Sequence, residues 1–143
     1  MSEFSGYKYE DLEIGMSHTT VHTISEDDIQ RFAEVSGDYN PLHMNEEFAA
    51  KTVFGRRIAH GALTASYISG ILGNNLPGPG AIFIGLSMRF KRPVHIGDTV
   101  HVRAEVAEKQ DRGNRVTLKV ECIVDDKRVI TGEAEVVAPR REA

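Results

Sequence analysis

From Ala81 onward the chain alternates apolar and polar residues in four runs, Ala81–Phe90, Thr99–Lys109, Arg115–Val124 and Arg128–Val137. A period of two predicts strands with one buried face. Val100, Val102, Ala104 and Val106 alternate with polar residues, and so do Val116, Leu118, Val120 and Cys122. One face of the sheet is therefore expected to be wet. Turn residues separate the runs at Gly97-Asp98, Arg112-Gly113-Asn114 and Asp125-Asp126. An earlier strand, with weaker alternation, is predicted over Met16–Ile24.

Between these strands the period changes. The run SEDDIQRFAEVSG carries a helix signature, with Ser25 as N-cap, Asp27 and Asp28 in the first turn, and Ile29, Phe32 and Ala33 on one face. Gly37 stands where a left-handed residue closes a helix. A shorter helix follows, with Asn45 as its cap and Phe48, Ala49 and Thr52 inside. In HGALTASYISGILGNN, His60 to Asn75, the apolar positions Ala62, Leu63, Ala65, Ile68, Ile71 and Leu72 go most of the way round, and no charge appears. Such a helix is expected to be covered on nearly every side. A curved antiparallel sheet wrapped round it meets both demands, which makes the fold class α+β. Open sheet edges then call for a second copy, so a homodimer is expected.

Composition narrows the function. A chain of 143 residues suits one domain, 1–143, and its 41% apolar and 27% charged residues are those of a globular protein. The net charge of -4 argues against a nucleic-acid binder. The single cysteine, Cys122, cannot form an internal disulfide, and its strand position marks it as a core residue. The acidic start MSEFSGYKYEDLEIG is unlike a secretory signal, and the apolar stretch from Ile58 to Leu76 is too mixed to span a bilayer. A cytoplasmic protein without a membrane partner is expected.

The chemistry concentrates in VSGDYNPLHMN, Val35 to Asn45. A structural reading is open: Asp38 makes an Asx-turn, Asn40 is held extended by Pro41, and His43 is satisfied by a carbonyl. A functional reading is open beside it. A carboxylate just after a helix C-terminus is disfavoured by about 0.3–1 kcal/mol, and the Asn-Pro step stiffens the link between two titratable groups. An acid and an imidazole held together can position and deprotonate one water.

The run FAEVSGDYNPLHMNEEFA resembles, nearly position for position, the signature of the MaoC-like (R)-specific enoyl-CoA hydratases, also called hydratase 2. The likeness continues through IAHGALTASYISGILGNNLPGPG and KRPVHIGDTV, from about Ile24 to Val137. It implies the hot-dog fold, usually dimeric, and the addition of water to a trans-2-enoyl-CoA to give the (3R)-3-hydroxyacyl-CoA. By resemblance Asp38 and His43 are the catalytic pair, with the formal base left open between them. Asn40 holds the loop or orients Asp38. The Gly61 amide, at a helix N-terminus, is the implied oxyanion donor, and His60 beside it is either structural or a support to the catalytic groups, not catalytic itself. Ser69 matches a family serine near the catalytic pair, although it could equally bond its own helix. Leu63, Ile71 and Leu72 are candidates for the acyl channel or for core. The reaction needs no metal or redox cofactor.

Other motifs are set aside. His18 and His22 lie on a strand, and His95 and His101 add no metal-ligand spacing, so no metal is expected. LPGPGAIFIG lacks the spacing of a dinucleotide loop. Arg89, Lys91 and Arg92 meet either the phosphates of coenzyme A, the acidic face of an acyl carrier protein, or only solvent. The alternative enzyme is a 3-hydroxyacyl-[acyl-carrier-protein] dehydratase; a non-catalytic thioester-binding domain and a hot-dog thioesterase stand further off.

Overall fold

The computed structural model describes residues 4–141; the first three and last two residues of the expected domain lie outside them. In chain order the elements are β1 (Ser17–Thr23), α1 (Glu26–Ser36), α2 (Pro41–Met44), α3 (Glu46–Ala50), α4 (Gly61–Asn74), β2 (Ile82–Phe90), β3 (Thr99–Gln110), β4 (Arg115–Val124) and β5 (Lys127–Val137). A 3-10 turn at Tyr9–Asp11 precedes them.

Local chemistry explains the boundaries. Ser25 caps α1 by accepting from the Asp28 N–H at 3.1 Å, while the Asp28 carboxylate accepts from the Ser25 N–H at 2.9 Å. Gly37 ends the helix at φ 80°, the left-handed conformation that glycine adopts without steric cost. Asp125 and Asp126 take φ values of 50° and 64° in the two-residue turn between β4 and β5. Two left-handed residues in succession match the twist of the strands they join. The periodicity of α2 was hidden by its single turn. Its visible signals are Asn40, whose side chain accepts from Leu42 N, and Pro41 at the first helical position.

All strand pairs are antiparallel, in the order β1-β3-β4-β5-β2. Helix α4 contacts β3 and also both edge strands, β1 and β2. Five strands at about 4.8 Å spacing are roughly twice as wide as a helix, so reaching both edges requires the sheet to curl around α4. The core is the seam between them. Val100, Val102, Ala104, Val116, Leu118, Val120 and Cys122 on the inner sheet face are fully buried, as is Ile68 on α4. Burial pushes the Cys122 thiol up to about 12, with Glu121 adding to it, which fits a core residue and not a nucleophile.

Two expectations change. The face of α4 that carries Ala62, Ser66, Ser69, Gly70 and Gly73 is exposed in the single chain. These residues are small and add little apolar area, so the single chain leaves this face uncovered. Strand β2 is exposed along most of its length, including Ile82, Phe83, Ile84, Leu86 and Phe90. It is an edge strand hydrogen-bonded only to β5, which the periodicity of its sequence does not reveal.

Candidate active site

Side chains that accept from the N–H two residues further on organise the bend after α1. Ser36 Oγ accepts from Asp38 N at 3.1 Å, Asp38 Oδ1 from Asn40 N at 3.1 Å, and Asn40 Oδ1 from Leu42 N at 3.0 Å. Ser, Asp and Asn favour such turns because their short polar arms reach the local backbone. The ladder delivers His43 into α2 with its ring pointing inward, 8% exposed.

The His43 ring is anchored by Nδ1, 2.8 Å from the carbonyl oxygen of Ile58. A carbonyl only accepts, so in the neutral ring Nδ1 carries the proton and Nε2 is left as an acceptor. The His43 pKa lies below its ordinary 6.5: burial is the largest cause, opposed by the Ile58 carbonyl, then assisted by His60, opposed by Asp38 and assisted by Arg57. His43 is therefore neutral at pH 7. The His60 ring packs 4.1 Å from it, centroid to centroid, and donates from Nε2 to the Asp38 carbonyl oxygen at 2.9 Å. His60 thus ties the start of α4 to the bend.

One donor atom from each of Asp38, His43 and His60 lies within 4.8 Å of the other two. A single water can span that separation with two ordinary hydrogen bonds of about 2.8 Å. A divalent cation would also find three donor atoms there, the one such group among the described residues. Asp38 itself is exposed.

Gly61 opens α4, and its N–H makes no hydrogen bond among the described residues. The Phe90 ring lies against it, since a Cβ added to Gly61 would stand 2.7 Å from the ring edge. Both border a cavity of about 560 Å³, which His43 and Thr64 also line. Phe54, Ile58, Val94 and Ile130 form apolar walls, and the exposed Lys91 and Arg92 line it as well. Lys91 and Arg92 also border a second cavity of about 940 Å³, together with Asp126, Lys127 and Arg128.

Residues singled out from the sequence divide accordingly. His43, Gly61, Lys91 and Arg92 meet at the cavity, while Asp38 lies beside His43 and His60 and binds the Asn40 N–H without either Asp38 or Asn40 lining it. Leu63 and Leu72 are 6% and 2% exposed in the core and do not line the cavity. Arg89 pairs across the sheet with Thr131 and lines neither cavity. Ser69 is exposed on α4, about 12 Å along the helix axis from Gly61 at 1.5 Å per residue. Phe54, Ile58, Thr64, Phe90 and Ile130 escaped the sequence reading. Nothing local marks them as lining residues, and Phe90 and Ile130 reach the cavity only through the pairing of β2 with β5.

Thr64 is 1% exposed, and its Oγ1 has no hydrogen-bond partner. A buried unpaired hydroxyl costs roughly 1–3 kcal/mol, so its isosteric removal relieves strain on the fold. Thr64→Val is expected to raise the denaturation midpoint by up to about 1 kcal/mol equivalent, measured by urea unfolding at unchanged slope.

The family pattern described as MaoC like domain matches residues 12–128. The chain belongs to the MaoC-like domain family. MaoC-like relatives are close in sequence: an (R)-specific enoyl-CoA hydratase of Rhodospirillum rubrum is 49% identical over 133 residues, 93% of this chain and 92% of that one. A 3-hydroxybutyryl-CoA dehydratase of Methylorubrum extorquens is 48% identical over 134 residues, 94% of this chain and 85% of its own. Among solved structures, R-hydratase PhaJ1 from Pseudomonas aeruginosa superposes with a TM-score of 0.90 at 43% identity, covering 95% of this chain and 88% of the other. The MaoC-like fold here is the α+β hot-dog fold, as the resemblance implied.

Proposed function

We propose that this protein is a hydro-lyase, an (R)-specific enoyl-CoA hydratase that reversibly adds water to trans-2-enoyl-CoA to give (3R)-3-hydroxyacyl-CoA. The observation that carries the reading is one composite. A neutral imidazole with Nε2 free to accept stands beside the Asp38 carboxylate, next to an unpaired helix N-terminal N–H in an apolar cavity. The relatives named above supply the CoA thioester and the (3R) outcome.

The residues divide the work. Asp38 and His43 hold one water between them, so its oxygen is aimed at the β-carbon of the enoyl group. As the C–O bond forms, the pair takes one proton from that water and returns it to the α-carbon. Charge develops meanwhile on the thioester oxygen, and the Gly61 N–H meets it there. A preorganised donor of this kind is worth about 2.7–4 kcal/mol in the transition state. Asn40 fixes the bend through its cap on α2. No metal or redox cofactor enters the reaction.

Lys91 and Arg92, between the two cavities, suit the phosphates of coenzyme A. Neither makes an ion pair among the described residues, nor does Lys127, whereas Arg128 is paired with Glu121 at 2.7 Å. The exposed apolar edge at β2 and the small-residue face of α4 support a homodimer, in which Ser69 is free to face the partner copy. No helix among the described residues is long and apolar enough to cross a membrane, and a cytoplasmic setting suits the unpaired Cys122.

The test is to mix the protein with crotonyl-CoA and follow the enoyl-thioester absorbance and free thiol together. Loss of absorbance without thiol, with a (3R) product by chiral analysis, is the expected result. Silence on short and medium enoyl-CoA chains would sink the reading and favour a carrier-protein dehydratase, which the same acyl chain on carrier protein would reveal. Lys91→Glu with Arg92→Glu is expected to raise KM for the CoA substrate about tenfold or more with kcat little changed, as loss of charge-assisted contacts to phosphate requires.

A further inference from the structure

We propose that Arg57 is a positioning residue for His43, locking the backbone of the catalytic histidine while its neighbour Ile58 locks the ring. The inference rests on the hydratase reading for its kinetic form, but its structural content stands apart from it.

Arg57 precedes α4 by four residues, and its side chain is only 11% exposed. Nε donates to the His43 carbonyl oxygen at 2.5 Å, and Nη1 to Glu26 Oε2 at 2.7 Å. The next residue, Ile58, accepts from His43 Nδ1 at 2.8 Å and donates its own N–H to the Leu42 carbonyl at 3.4 Å. The dipeptide therefore holds His43 by its main chain and by its ring at once. It is itself fixed from behind. The Arg57 carbonyl accepts from His95 Nδ1 at 3.0 Å, Ile58 bridges to His95, and Ala59 N donates to Val94 O at 2.6 Å.

This grip is needed because α2 is a helix of four residues. A single turn is unstable alone, and its last carbonyls lack partners within the helix. Arg57 supplies the partner for the carbonyl of His43 itself. A neutral donor would serve a plain cross-link at lower desolvation cost. Instead a guanidinium is buried here, and its Nη2 has no hydrogen-bond partner. A cation at this point also acts on the ring: it favours neutral His43, the form that accepts a proton.

Around His43 the charged and titratable groups are His60 at the start of α4, Asp38 on the bend before α2, Arg57 with Glu26 behind it, and Lys91 and Arg92 lining the same cavity. Arg57→Gln removes a cation, so the acid limb of kcat/KM should move to higher pH. Glu26→Gln removes the anion that offsets Arg57, so the limb should move to lower pH. Glu26 is 62% exposed, and this variant leaves the core untouched. Arg57→Lys keeps the charge without the fork, so the limb should stay in place.

The experiment measures pH profiles of enoyl-CoA hydration for wild type and these three variants, with the His43 ring titration followed by NMR and folding checked by circular dichroism. In Arg57→Gln, kcat is expected to fall on the order of 10- to 100-fold with KM within about twofold, and Arg57→Lys to recover part of that loss. Opposite displacements of the His43 titration in Arg57→Gln and Glu26→Gln support the proposal. If Arg57→Gln does not fold, the Arg57→Lys and Glu26→Gln pair decides it. An unmoved titration with kcat near wild type in the folded variants overturns it, as does a loss confined to KM. A wild type inactive on enoyl-CoA would count against the hydratase reading alone, because the NMR titrations still judge the grip on His43.

Discussion

Asp38→Asn and His43→Ala will each reduce crotonyl-CoA hydration by about 10²–10⁴-fold while leaving the protein folded. Asparagine keeps the oxygen that accepts from Asn40 N at 3.1 Å, so the turn survives and only the charge and one acceptor are lost. Alanine at position 43 removes Nε2 and also leaves the Ile58 carbonyl unpaired, so its stability will fall as well. His43→Asn, whose amide can still donate to that carbonyl, separates the two effects. Steady-state rates beside circular dichroism spectra check this result, and near-wild-type turnover in both variants would remove the pair from the mechanism. The wild-type acid limb should lie below the ordinary histidine value of 6.5, because burial of His43 favours the neutral ring. The same direction affects folding. Below that ordinary value the unfolded chain binds a proton that the folded chain refuses, so this contribution to stability is present above it and is lost as pH falls.

Gly132→Ala carries the largest expected cost to the fold. Gly132 lies on β5 with Val120 of β4 on one side and Met88 of β2 on the other. A Cβ there would stand 2.2 Å from the Ser87 carbonyl oxygen and 2.9 Å from the Met88 Cα. Both are backbone atoms, so relief requires β2 to move, and β2 is hydrogen-bonded to β5 alone. Overpacking of this kind costs about 3 kcal/mol or more, a fall of roughly 10 °C in Tm. Gly85→Ala is the control on the same strand pair, since its Cβ would meet Glu135 at an ordinary 3.8 Å. Thermal unfolding should separate the two variants clearly. Equal melting temperatures would show that β2 yields easily. Displacing β2 also moves Phe90, Lys91 and Arg92, so Gly132→Ala should raise KM for substrate in whatever fraction folds.

Much of this molecule follows from interactions within four residues of chain. The Ser25–Asp28 cap, Gly37 at φ 80° and the alternation of Val100, Val102, Ala104 and Val106 need no distant partner. The same holds for the ladder from Ser36 to Leu42, which is why the bend bearing Asp38 and His43 was legible at all. Its resemblance to a known signature then supplied a chemistry that spacing alone left open. The long helix α4 was legible too, but its exposed small-residue face was not, because burial depends on what packs there. Strand pairing decided the rest. Phe90 reaches Gly61 because β2 pairs with β5 at the edge of a sheet curled round α4. Arg57 reaches His43 across 14 positions and Glu26 across 31. No local pattern encodes such contacts, since they arise from register and closure among segments far apart in the chain. The sequence by itself determined which residues carry the acid, the imidazole and the helix-terminal amide; the tertiary structure decided the protonation of His43, the walls of its cavity and the guanidinium that holds it, because each requires groups that only folding brings within a few ångströms.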